Sequence, residues 1–268
     1  MKQIIKDETL NQQLLSKGYA VVPFLSAEEI EELKNLFFHY ANIENNHKGL
    51  YSNLYALDSE TNWKISLEME RICGRAFKEK FCAADLNGGV FIAKGVNPDT
   101  QCYLHQDPSC TDETQYATYA LWIPLVDIDE TTGLFYVLEG SHCLRKHIRC
   151  YNNPSKDFDL NTLDKDRLKS IRMKAGKALV FDHALIHGSA ANLSDAIRPV
   201  AVLGAMPHQT PYNFFWKTAA NEFAVYSIDK EYFIKKQISD LRNGNVTEDR
   251  FREKVSAAET ADFSLLNR

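Results

Sequence analysis

Residue types and spacing first suggest chemistry at His105 and Asp107, which stand two apart. Side chains two apart on an extended strand point to the same face, so this imidazole and this carboxylate can grip one cation together. A distant histidine would complete a three-ligand face. Two imidazoles and one carboxylate leave three octahedral positions open, which is the ligand set that suits Fe(II) and oxygen chemistry. Two histidines compete for the third place, His183 and His187, which share strand parity in the run Phe181-Asp182-His183-Ala184-Leu185-Ile186-His187-Gly188-Ser189.

Arg198 follows His187 by eleven positions and sits in the apolar run Ile197 to Leu203. A guanidinium there is costly to bury unless a carboxylate meets it, and its planar fork suits a bidentate partner. That partner is either a bound carboxylate or an internal one such as Asp182 or Asp195. Ser189 shares the parity of His187, so its hydroxyl is a candidate contact beside the metal. Gln101 and Tyr103 share the face of His105 if the strand is regular, and are expected to line a substrate cavity or orient the ligands. Lys94 is a candidate anchor for an anionic group, with a solvated strand-end lysine as the plainer reading. The other histidines, such as His39, His47 and His147, read as ordinary core or surface residues.

The elements that must position these groups follow a simple order, helices first and strands after. Residues 7–17 read as a short helix stopped by Gly18, and Tyr19-Ala20-Val21-Val22-Pro23 as a short strand. Ser26 and Glu29 make a capping box that opens a helix burying Ile30, Leu33, Phe37 and Tyr40. Residues 61–84 predict another amphipathic helix, with Trp63, Leu67, Ile72, Ala76 and Phe77 inward. From Gly88 onward short apolar runs dominate, at 88–95, 101–105, 116–126, 134–138, 168–173, 178–183, 185–190 and 197–206. The expected fold is mainly β with flanking α-helices, a double-stranded β-helix or cupin-like jelly roll. A single domain spans 1–268, with helical support over 1–86, the jelly-roll core over 87–206, and a C-terminal lid and helices over 207–268. Residues 142–166 form an inserted loop whose Arg145, Lys146, His147 and Arg149 offer a basic cluster to an anion. Residues 207–216 leave the last core strand rich in aromatics and are suited to cover the pocket, while the tail from 229 reads as two helices.

Composition narrows the function classes. The chain has 268 residues, 44% of them hydrophobic, enough to bury a full core. A net charge of -5 gives no basic footprint for nucleic acid, so a small-molecule substrate is expected. Neither a signal peptide nor a membrane span is apparent, which predicts a soluble, cytoplasmic protein, monomer or homodimer. The six cysteines include no C-x-x-C pair, so neither structural zinc nor a redox dithiol is signalled.

Several blocks together resemble the phytanoyl-CoA dioxygenase family of Fe(II)/2-oxoglutarate oxygenases. They are Gly18 to Ser26, His105-Gln106-Asp107, Gly133-Leu134-Phe135-Tyr136-Val137-Leu138-Glu139-Gly140-Ser141-His142, and His187-Gly188-Ser189 through Asn192, Ser194 and Arg198. The resemblance implies that His105, Asp107 and His187 bind Fe(II), that Arg198 holds the far carboxylate of 2-oxoglutarate, and that O2 is the second co-substrate. It also points to Trp122 against 2-oxoglutarate, where plain core packing is the alternative. The activity implied is hydroxylation of an aliphatic C–H of a small metabolite, with 2-oxoglutarate and O2 converted to succinate and CO2. The retained Asp107 favours oxygenation over halogenation, and desaturation or ring closure depends on substrate placement. Two other classes stand beside it: a cupin-like metal enzyme of isomerase type without 2-oxoglutarate, and a noncatalytic 2-oxoglutarate-binding protein.

Overall fold

Helix signals crowd the first third of the chain, and helices form there. The computed structural model describes residues 3–44, 46–144, 147–153, 167–236 and 243–257. Helix α1 (Glu8–Lys17) is capped by Asp7, which accepts the Leu10 N–H, and closes on Gly18 at φ 86°. A side chain at Gly18 would be strained and crowded as well, since a Cβ would come within 2.7 Å of His142 and Leu185. Strand β1 (Tyr19–Pro23) follows, then α2 (Ala27–Ala41), which opens on the Ser26/Glu29 capping box and buries Ile30, Leu33 and Phe37.

Short elements β2 (Leu50–Ser52) and α3 (Asn53–Ala56), which have no clear sequence signal, lead into α4 (Ser59–Lys80). Asp58 caps α4 through the N–H groups of Glu60 and Thr61, so it begins before residue 61. Its inward stripe runs through Ile65, Met69, Ile72, Cys73, Ala76 and Phe77. Leu67, expected inward, is 43% exposed because it falls off that stripe.

The strands are β3 (Ala84–Lys94), β4 (Cys102–His105), β5 (Tyr119–Pro124), β6 (Phe135–Leu138), β7 (Leu168–Ile171), β8 (Lys177–Asp182), β9 (His187–Ser189) and β10 (Arg198–Pro207). A six-stranded sheet has the order β1-β8-β5-β10-β3-β2, and a four-stranded sheet the order β4-β9-β6-β7. Their pairings are antiparallel. Two such sheets face to face make the double-stranded β-helix, or jelly roll.

Alternation divides the large sheet between two cores. Leu121, Ile123, Val180, Ala201 and Leu203 pack with Leu33, Phe37, Ile65 and Met69 of the helices. Ala120, Trp122, Leu179, Phe181 and Val200 point the other way, onto Phe135, Val137 and Ile171 of the small sheet. Residues of even number on β5, on β10 and on β3 from Val90 onward therefore face the jelly-roll interior, while Ala84 and Leu86, beyond a register shift, pack on the helical side.

The C-terminal region departs from the helical expectation. Strands β11 (Asn213–Ala219) and β12 (Glu222–Ser227) pair as a hairpin; after helix α5 (Lys230–Lys235), strand β13 (Phe251–Ser256) adds to β12. Asn221 supplies the positive φ of 56° at the hairpin turn. The stretch Glu222-Phe223-Ala224-Val225-Tyr226 is rich in aromatic and β-branched residues, and its backbone hydrogen bonds are met from both sides by strands rather than within a helix. The reading of 229 onward as two helices is corrected to one α-helix and a strand among the described residues. Of the basic cluster in the inserted loop, Arg145 and Lys146 lie outside the described residues.

Candidate active site

His105 and His187 are direct cross-strand partners on β4 and β9. Gly188 permits that approach, because a Cβ there would lie 2.7 Å from the carbonyl oxygen of Cys102. The two rings stand 4.3 Å apart between centroids. Asp107 follows two residues after β4, with its Oδ1 3.8 Å from His105 Nε2 and 3.9 Å from His187 Nε2. One ligand atom from each of the three residues falls within 4.8 Å of the others.

Hydrogen bonding prepares both imidazoles for a cation. His105 Nδ1 donates to the Tyr103 carbonyl at 2.8 Å, and His187 Nδ1 donates to the Leu185 carbonyl at 3.0 Å. A carbonyl can only accept, so each Nδ1 carries a proton and Nε2 is the ring atom turned toward Asp107. The His187 ring is held parallel to Phe135, with 5.4 Å between centroids, and packs against Phe181 at 4.6 Å. Burial and the neighbouring His105 push His187 down to about 4, so it is neutral at physiological pH. Burial alone would raise the Asp107 carboxyl, but His187, His183, His105 and Arg149 around it hold it below the ordinary carboxylate value. Burial likewise opposes a charge on His105, but Cys102 and Asp107 outweigh it and raise the imidazole to about 9. Loading a cation there would displace a proton. The donor set, two turned Nε2 atoms and one carboxylate, fits a divalent transition metal.

His183 does not join this cluster. Its Nδ1 lies 3.0 Å from Thr118 Oγ1 and 3.4 Å from Cys110 Sγ, while its carbonyl accepts the Asp107 N–H at 3.1 Å. Strand β8 ends at Asp182 and β9 begins at His187, so a turn separates the two histidines and strand parity does not carry across it.

Sequence reasoning missed the residues that hold the carboxylate segment. Arg149, 1% exposed, donates through Nε to the Asp107 carbonyl at 2.8 Å and through a terminal nitrogen to Glu113 at 2.6 Å. It is an internal brace rather than a surface cation of a basic loop. Its burial depends on Glu113, 36 residues earlier, and no local pattern announces that pairing. Gln106 braces the other side, donating to the Ala184 carbonyl at 2.5 Å.

A second group of side chains lies on the interior face of β3, β5 and β10. Arg198 is 3% exposed and Lys94 2% exposed, and the two are register partners. Arg198 donates to the Gly133 carbonyl at 2.9 Å and lies over the Trp122 ring, 5.2 Å from its centroid. Its Nε is buried without a partner. No carboxylate of the described residues pairs with it, so neither Asp182 nor Asp195 neutralises it. Burial lowers the guanidinium to about 10. Lys94 is no solvated strand end: its Nζ donates to the carbonyls of Ser189 and Ala190 at 3.1 and 2.5 Å. Burial, with Arg198 beside it, pushes it down to about 7. Trp122 and Ser189 are both buried, and Trp122 also packs on Phe135 at 5.0 Å. Two buried cations and an orphaned guanidinium N–H fit a bound dicarboxylate.

Gln101 and Tyr103 do not belong to the site. Both are exposed, Tyr103 to 74%, because the pairing register shifts between Cys102 and His105 and breaks the alternation that would have aligned them with His105. Only the Tyr103 carbonyl takes part, through His105.

Residues 14–200 match the phytanoyl-CoA dioxygenase (PhyH) family. The chain belongs to that family. No curated protein matches it. Among solved structures, HygX from Streptomyces hygroscopicus with nickel and 2-oxoglutarate bound is similar at TM-score 0.52 and 16% identity, over 75% of this chain and 87% of its own. EvdO2 from Micromonospora carbonacea var. aurantiaca complexed with 2-oxoglutarate gives 0.51 and 18%, over 77% and 94%. SnoK, a non-heme alpha ketoglutarate dependent carbocyclase from nogalamycin biosynthesis, gives 0.50 and 15%, over 77% and 86%. At these identities the likeness is one of fold, and it agrees with the jelly roll of this PhyH chain.

A cavity of roughly 220 Å³ opens beside Asp107 and His183. Its lining includes Val90, Ala120 and Val202 of the interior floor. The opposite wall comes from Tyr212, Phe214 and Phe233, beyond the residues that match the family. No helix among the described residues is long and apolar enough to cross a membrane.

Proposed function

We propose that this protein is an Fe(II)/2-oxoglutarate-dependent dioxygenase that hydroxylates an aliphatic C–H of a small-molecule metabolite. The observation that carries the reading is the pairing of a metal-ready triad with a buried guanidinium for which the described protein supplies no carboxylate. His105, Asp107 and His187 would hold Fe(II), and Arg198 and Lys94 would take the far carboxylate of 2-oxoglutarate, with Trp122 and Ser189 beside it. When bound, iron and 2-oxoglutarate supply with O2 the oxidising power for C–H attack, and succinate and CO2 are the co-products.

The protein's own part is positioning. Tyr103 and Leu185 fix the ligand tautomers, and Phe135 and Phe181 hold the His187 ring. Arg149 pins the backbone on which Asp107 rides. The apolar interior around Trp122, Phe135 and Val200 keeps water from the cofactor end. HygX and EvdO2, with 2-oxoglutarate bound on a similar fold, support the cofactor assignment.

The test is succinate release that requires both Fe(II) and 2-oxoglutarate, followed by a screen for a metabolite that gains one oxygen atom. An isomerase without 2-oxoglutarate would show turnover without succinate. A noncatalytic binder would bind 2-oxoglutarate and release none. Ring closure, the reaction named for SnoK, is the second reading, and a product lacking two hydrogen atoms and carrying a new ring rather than a new double bond would select it.

A further inference from the structure

The cavity beside the metal ligands is separate from the cofactor cradle, since Arg198, Lys94 and Trp122 are absent from its lining. On the reading above it is the place of the prime substrate. Its volume of roughly 220 Å³ falls below the ~300–1,000 Å³ of drug-sized ligand sites, so the part of a substrate held there is small.

Charge is scarce along its walls. Lys230 is the only lysine or arginine among the described residues of the lining, and both oxygens of Glu70 meet it at 2.8 and 2.6 Å. Asp107 belongs to the metal triad, and His183 is engaged by Thr118 and Cys110. Apart from a metal held at Asp107, a phosphate or carboxylate entering this space would lose its water without finding an unpaired lysine or arginine among the described residues, a heavy penalty for an ion.

One neutral group stands unmatched. Asn213 lines the cavity, is 8% exposed, and has a fully buried Oδ1 with no hydrogen-bond partner. Its backbone N–H is satisfied by the Cys110 carbonyl at 2.8 Å, which anchors the residue while its Oδ1 stays unbonded. A carboxamide both donates and accepts, so its natural complement is a neutral group that does the same. Asn213 also lies beyond residue 200, where the family match ends.

We infer that this cavity takes an uncharged, mainly apolar part of the substrate whose hydroxyl or amide is recognised by Asn213, and that a phosphate or carboxylate group does not enter it. The inference rests on the oxygenase reading only in treating the cavity as the substrate site. Asn213 is then a specificity-determining residue supplied by β11, set against a wall of Tyr212, Phe214 and Phe233.

The test uses the full chain, loaded with Zn(II) in place of iron and saturated with 2-oxoglutarate so that the cofactor cradle is filled. Three probes share one skeleton and differ in charge: cyclohexylmethanol, cyclohexanecarboxylate and cyclohexylmethylammonium. Binding is read by saturation-transfer NMR titration. The alcohol is expected to bind about tenfold or more tighter than either ion, a factor equal to about 1.4 kcal/mol. Asn213→Ala should weaken the alcohol severalfold, and the near-isosteric Asn213→Asp should move preference toward the ammonium probe. The wild-type ranking tests the charge claim without any variant. The carboxylate binding as tightly as the alcohol, no transfer from any probe, or an unchanged alcohol affinity in Asn213→Ala would each overturn the inference. If the alcohol binds while 2-oxoglutarate shows no metal-dependent binding, the oxygenase reading fails and the ranking still stands.

Discussion

Lys94 and Arg198 face each other across β3 and β10 as register partners, two buried cations with no carboxylate of the described protein paired to either. Like charges placed so close destabilise the ligand-free protein, and an anion between them removes the conflict. Arg198→Ala should therefore weaken 2-oxoglutarate binding by roughly 10²-fold or more, the scale of removing one partner from a buried charge pair. Isothermal titration of the metal-loaded variant checks this, and wild-type affinity would remove Arg198 from the cofactor site.

The same pair sets a pH dependence. Lys94 is held at about 7 by burial and by Arg198, against an ordinary 10.5. It is thus charged below 7 and neutral above. A bound dianion favours the charged form, so binding takes up a proton and 2-oxoglutarate affinity should fall as pH rises above 7. In the ligand-free protein the sign reverses: between 7 and 10.5 the unfolded chain holds a proton that the folded chain lacks, so this group's contribution to stability improves with rising pH. Lys94→Met should flatten both slopes; persistence of the binding slope in that variant at saturating metal would place its origin elsewhere.

His187 and His183 can be separated by metal content. His187→Ala should lose stoichiometric Fe(II) binding and all turnover, because only His105 and Asp107 would remain. His183→Ala should keep one metal per chain, since Thr118 and Cys110 rather than the triad engage that ring. Anaerobic Fe(II) titration gives the answer, and a reversed outcome would exchange their roles.

Arg149 offers a test of the brace. Arg149→Met leaves Glu113 buried without its partner and the Asp107 carbonyl without its donor. Breaking such a buried pair costs about 3–5 kcal/mol. Thermal unfolding should show that loss, and Fe(II) affinity should fall as well because Asp107 is no longer pinned. A variant with lowered melting temperature and intact metal affinity would make the brace purely structural.

The candidate pair His105 and Asp107 is legible because its spacing is local chemistry within three residues, as is the capping box at Ser26 within four. Gln101 and Tyr103 were misread because a bulge in β4 breaks an alternation that looks regular in the sequence. Leu67 failed for a related reason, since helical spacing leaves open which of two apolar stripes meets the core. The C-terminal strands were hidden because β13 gains its partner only from β12, across an intervening helix.

Short-range pattern by itself determined the jelly-roll class and the ligand types, since side-chain periodicity and donor chemistry are local properties of the chain, and the resemblance of its sequence blocks pointed to the family and to His187 as the third ligand. Only the tertiary structure decided that Arg149 turns inward to Glu113, that Tyr103 turns out to solvent, and that the Asn213 Oδ1 is left without a partner in the cavity that Asp107 also lines. Each depends on contacts between residues far apart in sequence. Burial then turns those contacts into energy, by stripping water from charges and amides whose partners no local pattern can name.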